Sequence, residues 1–194
     1  MKSKIFILSI IIGLISCNSE FIPKPRGYSM VDLPPKKYQL FDDKSYPYSF
    51  EYPIYANIIK DSNYFNDALV EDYWINIDFP TLNGKIYLSY KSLLKNNIRK
   101  LINDAFELTS KHIIKAASID EIAIKNNNHA SGIYFKLKGD VATANQFFLT
   151  DSTKHFLRGA LYFNTLPNED SLSVVNKFIV TDIEHLIRTL KWKN

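Results

Sequence analysis

One stretch of the sequence, TDSTKHFLRG at 150–159, carries most of the side chains that could perform acid–base or nucleophilic chemistry. Its polar members are Asp151, Ser152, Lys154, His155 and Arg158. A hydrolase would use Ser152 as nucleophile and His155 as general base. Such partners normally come from separated segments of a chain, whereas Asp and Ser also favour β-turns by bonding to the local backbone. We therefore interpret the stretch as a polar turn and predict no catalytic residues.

The histidines show none of the spacings that are typical of a metal site. They are His112, His129, His155 and His185. A phosphate-binding loop of the type G-x-x-x-x-G-K is also missing. The formal net charge is only +4, and Lys2 and Lys4 near the start supply two of these charges. We predict no metal ion, no nucleic-acid partner and no cofactor other than a covalent lipid.

The only cysteine, Cys17, ends a short hydrophobic segment. Lys2 and Lys4 precede an apolar run at 5–15, which is the pattern of a secretory signal and is too short to span a bilayer as a helix. The segment ends in Leu-Ile-Ser-Cys at 14–17, which resembles the bacterial lipobox. That resemblance implies that Cys17 is acylated and becomes the first residue after cleavage. Several acyl chains on one residue give stable membrane anchoring.

These features divide the chain into three parts. Residues 1–16 are predicted to be a cleaved lipoprotein signal peptide, and residues 17–47 a lipidated N-terminus with a proline-rich tether, since five of the eight prolines lie there. Residues 48–194 are predicted to form a single domain, because a chain of 194 residues suits one hydrophobic core. The location is the cell envelope, facing the periplasm. Asn18 is not the aspartate that retains lipoproteins at the inner membrane in some bacteria, which favours the outer membrane.

In the first half of the domain, hydrophobic periodicity predicts three strands followed by a helix. Alternation predicts strands at 48–52, 73–79 and 85–90, the last two joined as a hairpin. A helical spacing then predicts a helix over 93–116. Its apolar face would hold Leu94, Ile98, Leu101, Ala105, Leu108 and His112.

The second half of the domain shows the same two periodicities in the same order, first the alternation of strands and then the spacing of a helix. Alternation over 117–163 predicts a four-stranded antiparallel meander, and a helix follows over 169–191. Strand parity predicts Phe135 inward and Tyr134 outward. It also predicts His155 inward, with Lys154 and Arg158 outward or under a helix.

The order βββ-α-ββββ-α indicates an α+β fold. We predict a curved, mainly antiparallel sheet of about seven strands covered by two long helices. By topology this arrangement resembles the PsbP/Mog1-type sandwich, an analogy that does not fix function.

Five segments are distinctive when taken together: FIPKPRGY, PYSFEYPIYA, WINIDFP, GKIYLSYK and, above all, QFFLTDSTKHFLRGALYFN. They resemble the gliding-motility lipoprotein family GldD of the Bacteroidota. The resemblance implies a role in gliding motility and in the linked type IX secretion system, with other envelope proteins of that machinery as partners. It defines a role only for Cys17. Positions that match the family without a defined role are Pro23, Pro25, Arg26, Gly27, Tyr28, Lys154, His155, Arg158 and Gly159.

Three hypotheses follow for the function. The first is a non-catalytic assembly or interaction factor, for which Arg26, Tyr28, Lys154, His155 and Arg158 are candidate interaction residues. The second is a glycan-binding or small-ligand-binding module that uses exposed tyrosines and the face of Lys154 and Arg158. The third is an envelope hydrolase built on Ser152 and His155.

Overall fold

The computed structural model describes residues 31–60 and 73–193. Within these ranges the chain forms an α+β fold of two α-helices, one short 3-10 helix (Pro80–Leu82) and ten strands, which confirms the predicted fold class. The strands are β1 (Tyr38–Phe41), β2 (Tyr48–Pro53), β3 (Asn57–Lys60), β4 (Ile75–Phe79), β5 (Gly84–Ser92), β6 (Ala116–Lys125), β7 (Ser131–Gly139), β8 (Asn145–Thr150), β9 (His155–Phe163) and β10 (Lys191–Trp192). The helices are α1 (Ile98–Ser110) and α2 (Glu169–Thr189). Cys17, Arg26 and Tyr28 lie outside the described residues, as does the predicted signal peptide.

The strands form two antiparallel sheets. The larger sheet has seven strands in the order β3-β4-β5-β9-β8-β7-β6. It contains the predicted hairpin as β4 and β5, and the predicted four-stranded meander as β6 to β9. The pairing of β5 with β9 joins these two parts, because Gly84 to Ser92 run antiparallel to Phe163 to His155.

The smaller sheet has three strands in the order β1-β2-β10, and it corrects three predictions. The predicted strand at 48–52 is β2, which belongs to this sheet and not to the larger one. The tether was predicted to extend to residue 47, but β1 at Tyr38–Phe41 pairs with β2, so the folded domain begins before residue 48. The predicted helix over 169–191 ends at Thr189 because Lys191 and Trp192 pair with β2 instead.

One face of the seven-stranded sheet, here called the inner face, forms the main core. It packs against α2 and the three-stranded sheet. Its central side chains are at most 2% exposed and include Ile77, Leu88, Leu149, Leu157 and Leu161. Helix α2 contributes Ile179, Ile183, Leu186 and Leu190, which are also buried in this core.

Gly159 has a packing role on this inner face. A Cβ atom built at Gly159 would lie 2.3 Å from the ring of Phe147 on the neighbouring strand. Phe147 is itself 1% exposed and has no room to retreat in a close-packed interior. The missing side chain therefore lets the Phe147 ring lie over β9.

The opposite face, here called the outer face, is partly covered by α1. A second cluster there buries Ala105 of the helix against Phe135, Phe148 and Phe156 of the sheet. The helix is shorter than the predicted 93–116, because Asn97 caps its first turn by accepting bonds from the backbone of Arg99 and Lys100. Its buried face is also rotated from the prediction. Leu94 is 81% exposed and Leu108 is 39% exposed, while Leu101, Ile102 and Phe106 pack on the cluster.

Both faces of the seven-stranded sheet are covered at β7, so the prediction that Tyr134 points outward is wrong. Parity placed Tyr134 opposite Phe135 and therefore outward, but Tyr134 is only 3% exposed. It lies on the inner face, where its hydroxyl donates to Oδ1 of Asn145 at 2.8 Å. Phe135 is buried on the outer face under α1. Strand parity correctly predicts that Tyr134 and Phe135 lie on opposite faces of the sheet, but both faces are buried at these positions.

A buried ion pair ties the start of the described domain to α2. The Lys36 ammonium lies 2.7 Å from Oδ1 of Asp182, whose side chain is 1% exposed. Asp182 also accepts hydrogen bonds from the hydroxyls of Tyr38 at 3.0 Å and Tyr55 at 2.7 Å. Lys36 further donates to the backbone oxygen of Phe178 and lies 3.3 Å from the centroid of its ring. The buried carboxylate thus has three donors, two of them on the segment that precedes β2.

Candidate functional site

The polar turn at 151–154 is built around the carboxylate of Asp151. Its Oδ1 accepts from the backbone nitrogens of Thr153, Lys154 and His155 at 3.0, 2.8 and 2.9 Å, and its Oδ2 accepts from the Thr153 hydroxyl at 2.9 Å. Partial burial works to raise the pKa of Asp151, but these hydrogen bonds outweigh it and lower the pKa to about 2. Ser152 is exposed and has a φ of 67°. The Asp151 carboxylate therefore holds the turn together.

His155 points into the core, as predicted. It is 7% exposed, its Nδ1 lies 2.8 Å from the Tyr90 hydroxyl, and its ring stacks on Trp192 at 5.1 Å. Burial is the main cause that lowers its pKa, so the neutral imidazole is favoured at neutral pH. The imidazole is thus engaged by Tyr90 and Trp192, with Ser152 exposed on the turn before β9.

The other candidate interaction residues of this stretch do not form one surface. Lys154 precedes β9 and is exposed. Arg158 stands on the outer face of β9, three residues after His155, which has inner parity. An Nη atom of Arg158 donates to Oε1 of Gln146 at 2.6 Å, and Gln146 is 1% exposed. The structure therefore places His155 and Arg158 on opposite faces of the sheet. Arg158 lies beside α1, which agrees with the prediction that it points outward or under a helix.

Replacing Asp151 by alanine is expected to lower the free energy of unfolding by about 1–2 kcal/mol at pH 7, as for the loss of a capping side chain. The lowered pKa means that this stabilisation is present above pH 3.8 and is lost as the pH falls through about 2. Urea unfolding of both proteins at several pH values measures the difference, which should shrink toward zero at the acidic end. Ser152→Gly is the matched control, because glycine tolerates the positive φ of that position. A difference that stays constant down to pH 2 would contradict this role.

A different part of the outer face has the shape of a binding site. Two depressions adjoin there, one with a volume of about 720 Å³ and one of about 280 Å³, and Tyr87 lines both. The larger is also lined by Asp78, Lys85 and Tyr162. The smaller lies between β4, β5, β9 and α1. We call these two depressions together the outer groove.

Sheet register explains how the outer groove forms. Asn76 pairs with Tyr87 and Asp78 pairs with Lys85 between β4 and β5. Lys85 in turn pairs with Tyr162 between β5 and β9. Residues that pair in this way have their side chains on the same face. The outer-facing residues of three strands therefore form one continuous surface beside α1.

Charged and aromatic side chains alternate along the outer groove. The Lys85 ammonium lies 3.5 Å from Oδ1 of Asp78, and the Lys91 ammonium lies 5.2 Å from the centroid of the Trp74 ring. The Trp74 indole nitrogen donates to the backbone oxygen of Tyr90 at 2.9 Å, which fixes the ring at one end of the groove. At the other end the rings of Tyr87 and Tyr162 meet edge to face at 5.6 Å. This combination of aromatic faces with a few positioned polar groups is typical of ligand sites.

Sequence reasoning did not predict the outer groove. The signal was present in part, because alternation placed Trp74, Asn76 and Asp78 opposite the core side of their strand, with Tyr87 opposite the core side of the next. The alternation within single strands does not show that β5 pairs with β9, which lies some seventy residues further along the sequence.

The described residues contain no group of three or more His, Cys, Asp or Glu side chains that could hold a metal ion. Over the same ranges, no helix is long and apolar enough to cross a membrane.

Comparison with known proteins identifies the family. The sequence profile described as gliding motility lipoprotein GldD matches residues 18–192. The chain belongs to the GldD gliding-motility lipoprotein family. It is thus a lipid-anchored protein of the cell envelope with a role in gliding motility, and the resemblance noted from the sequence is confirmed.

Two further comparisons add little to membership of the GldD family. No curated protein matches the chain. Among solved structures, the chain is similar to the solution structure of cyanobacterial PsbP (CyanoP) from Synechocystis sp. PCC 6803, with 8% identity and a TM-score of 0.45. That alignment covers 84% of this chain and 97% of the cyanobacterial chain.

Proposed function

We propose that this GldD-family protein is a non-catalytic interaction factor of the gliding machinery, and that it also serves the linked type IX secretion system. The outer groove is the observation that carries the proposal, since it offers aromatic and charged side chains on a rigid sheet surface. Surfaces that bind a partner commonly combine such aromatic anchors with polar groups.

The geometry of the polar turn supports a role without catalysis. Every oxygen of the Asp151 carboxylate is engaged by the turn itself. His155 lies in the core between Tyr90 and Trp192. A general base must reach the proton that it removes, and the inward His155 does not face the exposed Ser152. His155, the general base of the hydrolase hypothesis, thus has structural partners in the core.

Lipid anchoring on Cys17 would hold the domain at the periplasmic side of the envelope, and Asn18 supports the outer membrane as its location. Periplasm-facing envelope proteins of the motility and secretion machinery are then the partners that the domain can reach. This placement requires no cofactor beyond the covalent lipid.

Ser152→Ala, as the only copy of the protein in a gliding bacterium, is expected to leave colony spreading and the amount of type IX-secreted protein unchanged. Removing a hydroxyl from an exposed turn breaks no contact that the fold needs. A deletion strain is the reference and should lose both spreading and secretion. Loss of spreading by a stable, anchored Ser152→Ala protein would contradict the non-catalytic role, and normal secretion by the deletion strain would contradict the link to secretion.

A further inference from the structure

We propose that the outer groove binds an oligosaccharide of the cell envelope. The inference rests on the proposed function, because it assigns a ligand class to the surface that carries that function. The proposal starts from the arrangement of three aromatic residues, Trp74, Tyr87 and Tyr162, on three adjacent stretches of the sheet.

The three aromatic residues form a diagonal stripe. Trp74 immediately precedes β4, Tyr87 is on β5, and Tyr162 is on β9. Each step moves one strand across and one row along, since Tyr87 pairs with Asn76 and Tyr162 pairs with Lys85. With strands about 4.8 Å apart and same-face residues about 6.8 Å apart along a strand, the backbone positions of the three residues span about 17 Å. That length exceeds one sugar ring and suits a chain of rings.

Polar groups accompany the stripe along its length. Asn76 and Ser89 line the smaller depression, and Asp78 and Lys85 line the larger one. Asn76 is 7% exposed, so only a small part of this residue borders the smaller depression. A pyranose ring presents an apolar C–H face and a rim of hydroxyl groups. Aromatic rings match the face, and amide, hydroxyl and carboxylate groups match the rim.

The same surface is less suited to a peptide. Both β5 and β9 are paired with neighbours on each side, so their backbones cannot add a peptide strand. A docked helix needs a groove lined mainly by apolar side chains. The larger depression does not offer one, because charged Asp78 and Lys85 line it. An oligosaccharide therefore fits the chemistry of the outer groove better than either form of peptide.

Trp74 provides a direct reporter of binding. The chain contains two tryptophans, and Trp192 lies away from the groove, stacked on His155 of the inner face. The lipidated protein carrying Trp192→Phe, in a detergent without sugar headgroups, is titrated with two glycan probes. One probe is a hexamer of β-1,4-linked N-acetylglucosamine, and the other is peptidoglycan glycan strands freed of their stem peptides. The freed stem peptides are titrated separately for comparison. The lipidated protein without the Trp192→Phe substitution is titrated in parallel and followed by its backbone amide NMR shifts. This second measurement keeps the test valid if the variant folds poorly.

The expected result is a saturable change in Trp74 emission with at least one glycan, together with amide shifts in β4, β5 and β9. Tyr87→Thr replaces one residue type that favours strands with another and should weaken binding about tenfold, as expected for the loss of one stacking surface. Leu40→Thr, at a strand position that is 62% exposed on the other sheet, should bind normally.

Three results would overturn the inference. They are the absence of any change with both glycans, a response to free stem peptides alone, and binding that Tyr87→Thr leaves unchanged. None of these outcomes alters the colony spreading of the Ser152→Ala and deletion strains, so a failed ligand assignment is distinguishable from a failed interaction role.

Discussion

Lys36→Met is expected to lower the free energy of unfolding of the protein by about 3 kcal/mol. The substitution leaves the Asp182 carboxylate, whose side chain is 1% exposed, without its compensating charge. Breaking a buried ion pair from one side costs about 3–5 kcal/mol. The lower end applies because the hydroxyls of Tyr38 and Tyr55 still donate to the carboxylate, and because Lys36 itself is 27% exposed.

A second substitution sharpens this prediction. Lys36→Met combined with Asp182→Leu removes both charges, and it should be more stable than Lys36→Met alone because no unpaired charge remains buried. Lys37→Met is the matched control, since Lys37 is the exposed neighbour in sequence, and it should change stability by less than about 0.5 kcal/mol. Urea unfolding followed by circular dichroism measures all four proteins. Equal losses for Lys36→Met and Lys37→Met would show that the buried pair does not hold this segment to α2.

Cys17→Ala is expected to release the protein from the membrane fraction and to abolish colony spreading. Without the thiol there is no site for the acyl chains that supply stable anchoring. Fractionation of cells followed by immunodetection measures the release, and spreading on agar measures the function. Ser19→Ala, two residues further along, is the matched control and should remain anchored and motile.

One outcome would separate anchoring from function. If the Cys17→Ala protein accumulates in soluble form and the cells spread normally, the lipid is dispensable for gliding. The domain would then reach its partners by diffusion, and the proposed placement at the membrane would be wrong.

Local patterns were enough to predict the longer elements. The 21-residue helix α2 has a clear apolar stripe and acidic residues in its first turn, which agree with its position on the core. Strands β4 and β5 are joined through the short turn Pro80–Leu82 and Asn83, which has a φ of 53°. A short connection of this kind leaves little choice of partner, so the hairpin was predictable.

The short strands could not be predicted in the same way. β1 and β3 have four residues each and β10 has two, so each is too short to show a period. Their existence depends on pairing with β2 or β4, which is a tertiary effect. Tyr134 shows a related limit, because alternation separates the two faces of a strand but does not reveal whether both faces are covered.

The candidate site was the least predictable feature. The polar residues of TDSTKHFLRG are close together in the chain, and for that reason the sequence suggests a site there. In the structure those residues divide between a turn, the inner face and the outer face. The outer groove instead brings Tyr162 to Trp74 and Tyr87 from a segment that is far away in sequence. Their meeting depends on the pairing of β5 with β9, which no local period encodes.

The central claim is that an anchored, non-catalytic protein acts in gliding through its outer groove. The most direct test is the colony spreading of a strain whose only copy carries Tyr87→Thr and Tyr162→Thr, with protein abundance and membrane attachment measured in the same cells. The predicted result is a loss of spreading while abundance and attachment stay normal, with Leu40→Thr spreading like the wild type. Normal spreading by the stable, anchored double variant would contradict the claim.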